Sequence, residues 1–108
     1  MAKPVKLRGK TALITGGGRG LGRAIALACA AEGAAIAVLA RTADEVAETA
    51  WLIEEQGGRA IALSGDVRVA SELHQVAAEV QERLGPIAIL VNSAGVGLRV
   101  PVQETTEE

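Results

Sequence analysis

Apolar residues in this chain gather into four short continuous runs, Thr11–Thr15, Ile36–Ala40, Ala60–Ser64 and Ile87–Asn92. Continuous rather than alternating runs of this length predict strands of a parallel sheet covered on both faces. The three stretches between them carry helical signals. Leu21–Glu32 is apolar and stops at Gly33, a residue suited to a helix C-terminus. The next opens at Thr42, where Thr42-Ala43-Asp44-Glu45 matches a capping box, and ends at Gly57-Gly58. The third spaces Leu73, Val76, Ala77, Val80 and Leu84 as one apolar stripe and ends at Gly85-Pro86. The order βαβαβαβ, with right-handed crossovers, predicts an α/β fold. It is an open parallel sheet between two helical layers, half of a doubly wound arrangement. No linker or low-complexity tract interrupts residues 1–108, which read as one domain.

Composition narrows the function. With 49% hydrophobic and 22% charged residues, the chain is globular rather than disordered. A net charge of −2 gives no reason to expect nucleic acid or an anionic membrane as partner. The most apolar region, Ala24–Ala40, is divided by Glu32-Gly33, and each half is shorter than the ~20 apolar residues a membrane span needs. The basic N-terminus is followed by no apolar core, so no signal peptide is expected. The single cysteine, Cys29, can form no internal disulfide, and a cytoplasmic location is the default expectation.

The chemistry lies in Thr15-Gly16-Gly17-Gly18-Arg19-Gly20-Leu21-Gly22, between the first strand and the first helix. A helix N-terminus offers unpaired N–H groups and a positive dipole end, and glycines let a phosphate approach backbone closely. The G-x-G-x-x-G pattern fails, because counting from Gly16 and Gly18 puts Leu21 at the last glycine position. The P-loop pattern nearly fits at Gly17 and Gly22, but Arg23 and Ala24 replace its lysine and hydroxyl, which argues against phosphoryl transfer.

The remaining pattern, T-G-x-x-x-G-x-G after Leu7-x-Gly9-Lys10, resembles the short-chain dehydrogenase/reductase family. Arg41 after the second strand, Asp66-Val67 after the third and Asn92-Ser93-Ala94-Gly95 closing the fourth extend the match from Leu7 to Glu108. All fall at C-terminal strand ends, where open α/β sheets bind ligands. The resemblance implies a Rossmann-like fold and a bound dinucleotide. Gly16, Gly18, Gly20 and Gly22 would shape the turn, and Leu21 would face the pyrophosphate. Asp66 would accept a hydrogen bond from the adenine amino group, with Val67 beside the ring. Asn92, Ala94 and Gly95 would border the ribose and the path toward the nicotinamide. Ser93 departs from the family's usual N-N-A-G at its second position, and any role needing an amide there is lost.

NAD-selective members would place an acid at the end of the second strand; here Ala40 stands there and Arg41 follows. Arg19 adds a second positive charge in the glycine loop. A guanidinium pairs well with a 2′-phosphate, so NADP is expected, with NAD as the alternative. The resemblance implies an NADP-preferring oxidoreductase moving hydride between the nicotinamide and an alcohol or ketone, with a homo-oligomer among its assemblies. The family's proton donor is a tyrosine with a lysine four residues on, and this chain has no tyrosine. Ser64, Ser71 and Ser93 match no catalytic position, so this chain alone is expected to be inactive. Thr106-Glu107-Glu108 resembles a helix start, which reads as a truncation before the catalytic portion. The edge strand Ile87–Val91 is then expected to promote association. The rival reading is a free-standing nucleotide-binding or interaction module without catalysis.

Other candidates read as structural. His74 sits one residue off the third apolar stripe and reads as a boundary or exposed position. Cys29 reads as a small core residue, Trp51 as packing on the second helix, and Glu54-Glu55 and Glu79–Arg83 as solvated faces. No cluster has metal-ligand spacing.

Overall fold

The computed structural model describes residues 6–93. Its elements follow the order β1 (Thr11–Thr15), α1 (Gly20–Ala31), β2 (Ala35–Ala40), α2 (Ala43–Glu55), β3 (Arg59–Ser64), α3 (Ala70–Leu84) and β4 (Ile87–Asn92). The sequence pattern places β1 and β4 at their observed limits, and β2 and β3 each begin one residue earlier. The expected helix start in the last residues, together with Ala94 and Gly95, lies outside the described residues.

The four strands form one parallel sheet in the order β3-β2-β1-β4. The chain steps outward from β1 to β3, then α3 carries it back over the sheet to place β4 on the other side of β1. The direction of winding therefore reverses between β1 and β4, and this opens a crevice at the C-terminal strand ends.

Alternation of side chains along β1 and β2 divides the core between the two faces. Ala12, Ile14, Ile36 and Val38 pack with Ala26 of α1 and Val46, Ala50 and Ile53 of α2. On the opposite face Leu13, Ala37 and Leu39 pack with Val76 and Val80 of α3. The three layers expected from the pattern are present.

Two local expectations are corrected. Thr42 is the N-cap of α2 but its side chain makes no capping bond, so the capping box is not formed. Glu45 instead turns toward the glycine loop, where its carboxylate lies 4.0 Å from the Arg19 Nε. Trp51 is exposed rather than packed, because α2 turns Val46, Ala50 and Ile53 inward and position 51 lies more than about a third of a turn from the middle of that stripe. β4 is covered less than β1: Val91 is buried, whereas Ala88 and Leu90 are exposed. Leu90 pairs in register with Leu13, and α3, packed over Leu13, Ala37 and Leu39, leaves Leu90 uncovered.

Candidate functional site

The glycine loop is built by close packing before any ligand is considered. Gly16 and Gly17 leave β1 and both donate their N–H to the Leu39 carbonyl, at 2.7 and 3.3 Å, which fixes the turn against the end of β2. A Cβ on Gly17 would stand 2.7 Å from Val38 Cγ1, and one on Gly18 would stand 2.7 Å from Glu45 Cβ. A Cβ on Gly22 would lie 1.9 Å from the Gly16 carbonyl oxygen, so α1 can sit this close to the turn only with glycine there. Gly20 differs: its φ is +59° and a Cβ would meet nothing within 4 Å. Gly20 satisfies a backbone requirement at the helix start, and the space beside it is open. Gly17 was absent from the turn-shaping set read from the sequence, although Val38 imposes on it the same demand that Glu45 imposes on Gly18.

Two residues that sequence reasoning did not assign hold this loop from beneath. Thr49 of α2 is fully buried, and its hydroxyl donates to the Gly17 carbonyl at 2.7 Å. Arg23 of α1 donates from Nε to Thr49 Oγ1 at 2.9 Å and from Nη2 to the Gly18 carbonyl at 2.7 Å. The same Nη2 reaches Glu48 Oε1 at 3.3 Å. The available sequence signals were a guanidinium at the lysine position of a failed P-loop match and a threonine on the buried stripe of α2.

At the sheet's switch point Thr15 Oγ1 donates to Asn92 Oδ1 at 2.8 Å, joining the ends of β1 and β4. Ser93 follows: its N–H donates to the Thr15 carbonyl at 3.2 Å, and its hydroxyl donates to the same oxygen. Serine at this position therefore ties β4 to β1.

Charged groups collect along the same edge. Arg19 precedes α1 in extended backbone with its side chain 83% exposed, and its 4.0 Å approach to Glu45 leaves most of the guanidinium in solvent. Arg41 follows β2 and is exposed. Asp66 follows β3, and Arg68 grips it by donating from Nε to Oδ1 at 3.0 Å and from Nη2 to Oδ2 at 2.9 Å. The Arg68 N–H adds a bond to Oδ1 at 2.9 Å. These bonds, with a smaller contribution from the charge of Arg41, lower the Asp66 carboxyl to about 2. Val67 is half-buried against the α3-side core. Leu21, at the start of α1, is 51% exposed.

The structure thus brings Gly16, Gly18, Arg19, Gly20, Leu21, Gly22, Arg41, Asp66, Val67 and Asn92 to the C-terminal ends of the strands or the loops that follow them. Ala94 and Gly95 lie outside the described residues. His74 is exposed, and Cys29 is half-buried against the core, where burial pushes its thiol pKa up. Among the described residues no group of His, Cys, Asp and Glu could hold a metal, and no helix is long and apolar enough to cross a membrane.

With this geometry in place, comparison with known proteins gives the class. The short chain dehydrogenase family model matches residues 10–108. A ketoacyl reductase, HetN, of Nostoc sp. is 42% identical over 83% of this chain and 31% of its own length. A short chain dehydrogenase of Pseudocercospora fijiensis is 37% identical over 95% of this chain and 33% of its own. Among solved structures, a dehydrogenase/reductase from Sinorhizobium meliloti superposes with a TM-score of 0.82 at 44% identity, covering 93% of this chain and 40% of that one. A hydroxysteroid dehydrogenase from Escherichia coli gives 0.79 at 38%, covering 82% and 37%. The chain belongs to the short-chain dehydrogenase/reductase family. It spans about a third of the length of the first two of these relatives.

Proposed function

We propose that this chain is the dinucleotide-binding part of an oxidoreductase that prefers NADP. The observation that carries the reading is the end of β2: Ala40 ends the strand where NAD-selective relatives would carry an acid, and the exposed Arg41 follows it. Arg19, with most of its guanidinium in solvent, supports a second contact to a 2′-phosphate. The residues fit the rest of the cofactor as well. Gly20 leaves open space at the N-terminus of α1, where the helix dipole favours a pyrophosphate. Asp66 is ionised at any working pH and can accept from the adenine amino group through lone pairs that Arg68 leaves free.

The bound nicotinamide would supply the hydride chemistry, and this chain's residues would hold and orient it. An alcohol or ketone is the matching substrate class. The proton that accompanies hydride transfer needs a donor beside the reacting oxygen. The sequence holds no tyrosine to serve as the family's phenol, so the chain alone binds without turning over. Calorimetric titration of the full chain with NADPH and with NADH tests the reading. Tighter binding of NADPH with no carbonyl reduction is expected. Tighter binding of NADH, or turnover by the chain alone, would overturn it.

A further inference from the structure

We infer that Thr49 and Arg23 are positioning residues that aim the glycine loop's N–H groups at the pyrophosphate, an inference that rests on the dinucleotide reading above. The peptide unit is planar and trans, so the N–H of one residue points opposite to the carbonyl of the residue before it. The Gly17 carbonyl is drawn into the α1–α2 interface by the buried Thr49 hydroxyl, and the Gly18 carbonyl by Arg23 Nη2, each at 2.7 Å. Both anchors therefore turn the N–H groups of Gly18 and Arg19 away from that interface. Neither N–H donates to a group among the described residues, whereas Gly16 and Gly17 both donate to Leu39.

The two anchors work as one unit. Thr49 has a single hydroxyl proton; spending it on Gly17 leaves an oxygen lone pair, which Arg23 Nε fills at 2.9 Å. The Arg23 fork then places Nη2 on Gly18 in the same plane. Arg23 and Thr49 act through the backbone and do not themselves touch the ligand. The arrangement also accounts for a positively charged side chain at the P-loop lysine position that is turned under the loop instead of into the crevice.

The test uses the full chain, isotopically labelled, as wild type, Thr49→Val and Thr49→Ser. Each is titrated with inorganic pyrophosphate and, separately, with adenosine, following the Gly18 and Arg19 amide resonances. Pyrophosphate is expected to shift both resonances in the wild type. Thr49→Val should bind it about tenfold more weakly and Thr49→Ser nearly as well as wild type, with adenosine unchanged in both. Equal pyrophosphate binding by Thr49→Val, or equal loss of both probes, would overturn the inference. So would the absence of any pyrophosphate shift in the wild type. Should Thr49→Val fail to fold, Arg23→Lys carries the same comparison, because an ammonium cannot bridge Thr49 and Gly18 as a planar fork does. Titrating the wild type with NADPH separates the two readings. Pyrophosphate shifts without NADPH binding would sink the dinucleotide reading and leave the loop assignment standing. NADPH binding that leaves the Gly18 and Arg19 amides unmoved would do the reverse.

Discussion

Arg68 holds both carboxylate oxygens of Asp66, with contacts of 3.0 and 2.9 Å from two nitrogens of one guanidinium. The pair sits at the end of β3, on the edge of the sheet where Arg41 also lies. It holds the carboxylate in place beside Glu72, whose Oε1 accepts from the Asp66 N–H at 2.8 Å, and the proposed function assigns that carboxylate to the adenine amino group.

The bonds from Arg68 lower the Asp66 pKa from 3.8 to about 2. A carboxyl with a depressed folded-state pKa adds stability that is fully present above its unfolded value. That stability is lost as pH falls through the folded value. Asp66 should therefore contribute to folding above pH ~4 and lose that contribution between ~4 and ~2. Carbon-13 carboxyl titration should find Asp66 near 2 in the wild type and moved up toward 3.8 in Arg68→Ala. A wild-type titration near 3.8 would show that the Arg68 grip does not persist in solution.

Under the proposed NADP reading, cofactor choice turns on the exposed Arg41. One charge-assisted hydrogen bond to a 2′-phosphate contributes about 1.5–3 kcal/mol, so Arg41→Ala should weaken NADPH binding roughly 10- to 100-fold. NADH lacks that phosphate and should bind Arg41→Ala as it binds the wild type. Calorimetry with both cofactors checks this, and an equal loss for the two would remove Arg41 from any role in selectivity.

Much of this architecture was legible because glycines and apolar runs report local demands. Gly33, Gly57 and Gly85 have positive φ, and each follows within a residue or two of a helix end predicted from the pattern. What stayed hidden depends on contacts between elements far apart in sequence. Thr49 and Gly17 are 32 positions apart, and nothing local to either signals their bond. The capping box at Thr42 failed for a related reason: Glu45, needed to complete it, lies against Gly18 and Arg19. The placement of β4 beside β1 was legible only through the doubly wound expectation, since right-handed crossovers put helices on both faces only if the chain reverses past β1. Arg68 is the local exception: it lies two residues from Asp66, yet an exposed arginine after a strand looks like any solvated charge until the geometry shows its fork on that carboxylate.

Gly20 and Gly22 should respond differently to the same substitution. Gly22→Ala drives a methyl into the Gly16 carbonyl oxygen at 1.9 Å, and neither backbone can yield without separating α1 from β1. A loss of about 3 kcal/mol or more in denaturant unfolding is expected. Gly20→Ala meets open space and carries only the cost of its φ of +59°, about 1–2 kcal/mol. Equal losses for the two would mean that the tight approach of α1 to the turn relaxes in solution.

Adjacent stretches of α2 should show how far its two faces differ. Ile53 is fully buried between α2 and the sheet, in the cluster that includes Ile36 and Val38. Ile53→Ala removes a branched side chain from a packed interior, and the cavity left behind should lower stability by about 2–5 kcal/mol. Trp51, two residues earlier, is 56% exposed, so Trp51→Ala should change stability by no more than about 0.5 kcal/mol. Its effect on NADPH binding should also be negligible, because α2 presents Thr49, not Trp51, to the glycine loop. Chemical denaturation of both variants, followed by circular dichroism, reads the difference directly. A large loss in Trp51→Ala would mean that the outer face of α2 is covered in solution and that the layer it forms is not the outermost one.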